Sequence, residues 1–211
     1  MFSTALFALL VVGAAHAEDT KAVVAAVESK YAGVTAMSAA FVQTTHSDMF
    51  GDEKQSGNVL LKRPKQMFWD FGDKQFVTDG KTMWVYTQAD NQVIRYDNIA
   101  GGSSSADELL TSLDKIDDLF VITSLPDDVG HTFDLAPKKE GGQVKTVHLE
   151  MSNDLIVEKV VIIDAMDNKT ELAFTDMKLN VEVPDSKFVF VPPPGAEVIS
   201  TGGGSTATGG K

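Results

Sequence analysis

Asn58–Tyr86, NVLLKRPKQMFWDFGDKQFVTDGKTMWVY, constrains the fold more than any other stretch of this chain. Met67, Trp69 and Phe71 alternate with Phe68 and Asp70, which is the period of a β-strand, so those three large apolar side chains share one face. Asp79-Gly80 reads as a tight hairpin turn, with Gly80 supplying the positive φ. Pro64 has no N–H to give a ladder, so Arg63-Pro64 marks the end of the first strand. Such bulk on one face suits either the plain core of a sheet or a wall that holds something apolar.

The rest of the chain extends this pattern. Asp19–Tyr31 has a helical stripe in Val23, Val27 and Tyr31, with Gly33 as its stop. Strands are expected at Met37–Thr45, Lys54–Lys62, Gln66–Phe71, Gln75–Thr78, Thr82–Thr87 and Gln92–Tyr96, with spacings too short for helical crossovers. Asn98–Ser104 is a Gly/Ser loop leading into Ser105–Phe120, where Leu109, Leu113, Ile116 and Phe120 recur at helical spacing and Ser105 with Glu108 forms a capping box. Strands resume at His131–Ala136, Gln143–Met151, Leu155–Asp164, Thr170–Leu179 and Lys187–Val191. Ser200–Lys211 is rich in Gly, Ser and Thr and is expected to be a disordered tail. Helix, antiparallel strands, an inserted amphipathic helix and more strands make an α+β domain, one strongly curved sheet with helices on one side.

Composition excludes several classes of function. A formal net charge of −12 opposes both nucleic acid and electrostatic docking on anionic lipid heads. The absence of cysteine excludes disulfide and thiol chemistry, and leaves no residue to carry a lipid anchor. His46, His131 and His148 are not at metal-ligand spacing, and no nucleophile elbow or phosphate loop is present. The acidic groups Asp48/Asp52/Glu53 and Asp114/Asp117/Asp118 read as solvated faces or turns. No cofactor, metal or catalytic residue is expected. Met1–Ala17 is an apolar run ending Ala15-His16-Ala17, an export-signal pattern with cleavage after Ala17. No basic residue precedes the run, and a buried N-terminal helix is the other reading.

Several ordered segments resemble the LolA family of periplasmic outer-membrane lipoprotein carriers. They are Ala40-Phe41-Val42-Gln43, Leu61-Lys62-Arg63-Pro64, Met67–Trp69, Thr78-Asp79-Gly80-Lys81-Thr82, Met83-Trp84-Val85-Tyr86, Gln92-Val93 and Phe188–Ala196. The resemblance spans roughly residues 20–199. It implies an incomplete, half-open antiparallel β-barrel with a helical lid over a hydrophobic concave face, as a single domain over residues 18–199.

The resemblance also implies a function and a site. A carrier of this family shields lipoprotein acyl chains between an inner-membrane lipoprotein-releasing transporter and an outer-membrane lipoprotein receptor. It works as a monomer in the periplasm and is not an enzyme. Met67, Trp69, Phe71 and Met83 on the sheet, with Leu109, Leu113 and Ile116 on the inserted helix, are the expected acyl-chain cavity. Methionines suit a pocket that adapts its shape. Arg63 matches the family arginine that latches the lid through its backbone carbonyls. Two other readings stay open: a periplasmic binder or shuttle of another lipid on the same fold, and an envelope-interaction β-domain with a filled core.

Overall fold

The computed structural model describes residues 13–47, 51–97, 105–125, 130–139 and 141–201. Helix α1 (Gly13–Ala32) is followed by six strands: β1 (Ala36–Ser47), β2 (Gly51–Lys62), β3 (Gln66–Asp70), β4 (Lys74–Thr78), β5 (Thr82–Thr87) and β6 (Gln92–Asp97). A short helical segment comes next, comprising α2 (Ser105–Thr111), a 3₁₀ turn at Leu113–Lys115 and α3 (Ile116–Leu119). Strands β7 (Phe120–Leu125), β8 (Gly130–Pro137), β9 (Val144–Ser152), β10 (Val157–Asp164) and β11 (Lys169–Leu179), a 3₁₀ turn at Asp185–Phe188 and β12 (Glu197–Thr201) complete it.

The strands form one sheet in the order β12-β6-β5-β4-β3-β2-β1-β11-β10-β9-β8-β7. The two ends, β7 and β12, do not pair, so the barrel stays open. β1 is the seam: it runs antiparallel to β2 from Ala36↔Lys62 to Ser47↔Gly51, and antiparallel to β11 on its other side. Among the described strand pairs only β12–β6 is parallel, from Glu197↔Gln92 to Thr201↔Tyr96. A continuous apolar core lies between the sheet and the helices. It joins Val27 and Tyr31 of α1, Leu109 and Leu110 of α2, and Leu135, Leu149 and Val160 of the sheet. Tyr31 is fully buried and its hydroxyl donates to the Leu155 carbonyl at 3.1 Å.

Three sequence expectations are corrected. Ser105–Phe120 is not one helix. Thr111 Oγ1 donates back to the Asp107 carbonyl at 2.6 Å, a bond that bends helices. The next turn tightens through Ser112 N–H to Leu109 O at 3.0 Å, and both Ser112 (φ −116°) and Lys115 (φ −147°) leave helical geometry. Phe120 instead opens β7, whose β-branched Val121-Ile122-Thr123 run lies just beyond the expected helix.

Lys187–Val191 is likewise not a strand. Prolines at 184 and 192–194 bracket it and withhold ladder donors. The chain there makes a 3₁₀ turn that buries Phe188 completely, and sets Phe190 against Trp84 and Tyr86 at ring distances of 6.5 and 5.8 Å. The last strand forms beyond the prolines, so the tail begins later than expected: Ser200 and Thr201 belong to β12.

Residues 1–12, Asp48, the loop glycines and serines at 101–104, the Ser105 side chain of the expected capping box and residues 202–211 lie outside the described residues. Among the described residues no helix is long and apolar enough to cross a membrane.

Candidate functional site

Alternation along β3 builds the site. Met67 and Trp69 are each 5% exposed, while Gln66, Phe68 and Asp70 of the opposite face are half-buried. Cross-strand pairing extends the wall, with Trp69 opposite Phe76 of β4, and Met67 opposite Thr78, which in turn faces Met83 of β5. The β3–β4 turn is fixed by Phe71 N–H to Lys74 O and by Gly72 N–H to Asp70 Oδ1, both at 2.9 Å, with Gly72 at φ +87°. This turn sets Phe71 and Lys74 among the lining residues.

The rings interlock. Phe41 of β1 meets Trp69 and Phe71 edge-on at 4.7 and 4.8 Å, Trp69 stacks on Phe71 at 6.2 Å, and Phe71 meets Phe76 edge-on at 5.7 Å. Each such pair adds about 0.5–1.5 kcal/mol beyond area burial. Gly57 of β2 lies opposite Phe41, and a Cβ there would fall 1.8 Å from the Asp70 carbonyl oxygen. Only glycine lets β2 and β3 approach this closely.

Over this panel lies a cavity of about 360 Å³, within the size range of small-molecule sites. Met67, Trp69, Phe71, Phe76, Met83 and Leu172 give it an apolar lining, and Gln43, Gln55, Lys74 and Asp107 supply its polar groups. A second hollow of about 660 Å³ is lined by Ala106, Val144, Ile162, Met166, Thr170 and neighbouring residues. The two share Gln43 and Leu172, which are cross-strand partners on β1 and β11.

Four of the seven residues expected in the cavity therefore line it: Met67, Trp69, Phe71 and Met83. Leu109, Leu113 and Ile116 do not. They are 1%, 0% and 3% exposed and belong to the core. The break after Thr111 carries the Leu113–Lys115 turn against α1, and Ile116 packs with Val24 and Val27 of that helix. What α2 presents to the cavity is Asp107, 3% exposed, which accepts a hydrogen bond from Trp69 Nε1 at 2.6 Å. In the sequence Asp107 looked like any first-turn helix acid, and nothing there marked it. Phe41 and Phe76 did carry a signal, since each sits at strand spacing on an apolar face.

Arg63 does reach the helical segment, but through a side chain. Its Nη2 donates to Asp114 Oδ1 at 2.9 Å, with side-chain exposures of 20% and 29%, whereas the resemblance implied backbone carbonyls. Its buried Nε has no partner among the described residues. Also among the described residues, no cluster of His, Asp or Glu is placed to hold a metal ion.

The family model for outer membrane lipoprotein carrier protein LolA matches residues 32–191, about three quarters of the chain. The chain belongs to the LolA family. Relatives of the family named outer-membrane lipoprotein carrier protein include one from Chromobacterium violaceum, 29% identical over 185 residues, covering 84% of this chain and 87% of that one. Another, from Alkalilimnicola ehrlichii, is 30% identical over 182 residues and covers 83% of each chain. A crystal structure of an uncharacterized conserved protein from Thermus thermophilus shares the fold, with a TM-score of 0.53 at 13% identity over 86% of this chain and 99% of that one. Trp69 of the ring panel and Arg63 each hydrogen-bond the short helical segment, at Asp107 and Asp114.

Proposed function

We propose that this LolA-family chain carries lipoproteins through the periplasm, holding their acyl chains against the Trp69 face while the protein part stays outside. The observation that carries the reading is the apolar cavity lined by three rings of the aromatic panel, Trp69, Phe71 and Phe76, and by Asp107 of α2. It would take its cargo from an inner-membrane lipoprotein-releasing transporter and pass it to an outer-membrane lipoprotein receptor, as a monomer and without catalysis. Export with cleavage after Ala17 would leave Glu18 as the first residue of the working protein.

The energetics fit a carrier. Each acyl methylene buried contributes about 0.8 kcal/mol. A partly exposed ion pair such as Arg63–Asp114 contributes ~0–1 kcal/mol. Acyl methylenes buried in the cavity would offset the opening of the cover, which costs core burial of Leu109 and Leu110 as well as the ion pair. The test is native mass spectrometry of the protein taken from the periplasm of its own host. A bound acylated polypeptide supports the reading. A bound free lipid in its place would assign the fold to a lipid shuttle.

A further inference from the structure

The Trp69–Asp107 contact joins the wall of the cavity to its cover. Trp69 stands on β3 and Asp107 on α2, 38 residues apart in sequence, and both are at least nine-tenths buried. The indole N–H donates to Asp107 Oδ1 at 2.6 Å inside the cavity lining. A carboxyl group withdrawn this far from water stays there only with hydrogen bonds, and in such surroundings a bond is stronger than at a surface.

Arg63–Asp114 holds the same segment seven residues further on, at the turn after α2. That pair is partly exposed and is weakened by salt, whereas a buried contact is screened little. An acyl chain lying along the Trp69 ring brings no donor or acceptor. If α2 moves aside to admit it, the indole loses Asp107, and the Asp107 carboxyl returns to water.

We propose that the Trp69–Asp107 hydrogen bond is a second fastening of α2 to the sheet, made in the empty carrier and broken by cargo, which makes Asp107 a positioning residue for release. The proposal rests on the carrier reading above. Because the bond stabilises only the empty form, its loss favours the loaded one. Variants lacking it hold cargo longer. A purely structural contact would lower stability and leave cargo retention unchanged or shorten it.

The experiment measures transfer of a diacylated lipopeptide from the full-length protein to phosphatidylcholine vesicles, at low and high salt. Trp69→Phe removes the donor without adding apolar surface to α2. Asp107→Leu removes the acceptor, and Asp107→Asn keeps an oxygen acceptor and serves as the folded control. Trp69→Phe and Asp107→Leu are each expected to slow release roughly three- to tenfold, the range of one hydrogen bond. The double variant should be no slower than the slower single, Asp107→Asn should stay near wild type, and the effect should persist at high salt. Release unchanged or faster in both single variants, or strictly additive effects, would overturn the fastening while leaving the carrier reading intact. Failure of the folded wild type to bind the lipopeptide would overturn the carrier reading itself, and the fastening with it.

Discussion

Arg63 and Asp114, 51 residues apart, meet at 2.9 Å across the boundary between the sheet and the helical segment that covers it. Arg63 sits at the end of β2, where its own N–H is fixed to the Thr35 carbonyl at 2.8 Å. The arginine is therefore anchored on the rigid side, and Asp114 belongs to the side that would have to move. Arg63→Leu should load lipopeptide normally and release it about two- to fivefold more slowly, in keeping with a partly exposed pair worth up to ~1 kcal/mol. Asp114→Ala should reproduce the effect, and added salt should shrink the difference from wild type. Impaired loading would mean that Arg63 touches cargo or a partner directly.

Met83 tests the wall with less risk to the fold, because it is half-buried and lines the cavity. Met83→Asp should weaken lipopeptide binding at least tenfold, since an acyl chain would have to desolvate a carboxylate. The denaturant midpoint should move little. Equal affinity in the folded variant would remove Met83 from the site.

Gly57 tests the scaffold beneath the rings. With a Cβ 1.8 Å from the Asp70 carbonyl oxygen, Gly57→Ala forces β2 and β3 apart. The expected loss is about 1–3 kcal/mol in urea unfolding, the range for overpacking. A neutral result would show that the strands separate freely at this point.

Tyr31 sets an alkaline limit on stability. Burial pushes its phenol up from 10.0 to about 12. A folded-state value above the unfolded one means that the stabilisation is fully present below about pH 10 and is lost as pH rises through 12. The full loss is on the order of 2–3 kcal/mol. Tyr31→Phe should lack this component when unfolding is followed from about pH 9 upward, although it also loses the bond to Leu155.

Legibility from sequence followed the range of the interactions. The strands from β1 to β6 were readable because alternation and turn residues are local, and the Met67/Trp69/Phe71 face came with them. The helix expected over Ser105–Phe120 ends at Thr111. Its leucine spacing is helical, and the break comes at Ser112, just after the Thr111 hydroxyl bonds back to the Asp107 carbonyl. That single break moved Leu113 and Ile116 from the expected cavity into the core under α1. The β12 pairing with β6 was hidden for another reason: Glu197–Thr201 is exposed throughout and carries no burial pattern. Asp107 was unreadable in principle, because its role depends on a partner 38 residues away.

Acyl chains are expected to lie on the Trp69 face beneath α2. Photo-crosslinking tests it most directly, using a lipopeptide whose acyl chain carries a diazirine near its end, followed by mapping of the modified peptides. Labelling is expected to concentrate on residues 66–76 and on Met83, suppressed by an unlabelled acylated peptide and untouched by the same peptide without its acyl chains. Labelling confined to exposed apolar residues such as Val121, Val189 and Val191, or labelling that the acylated competitor fails to suppress, would contradict it.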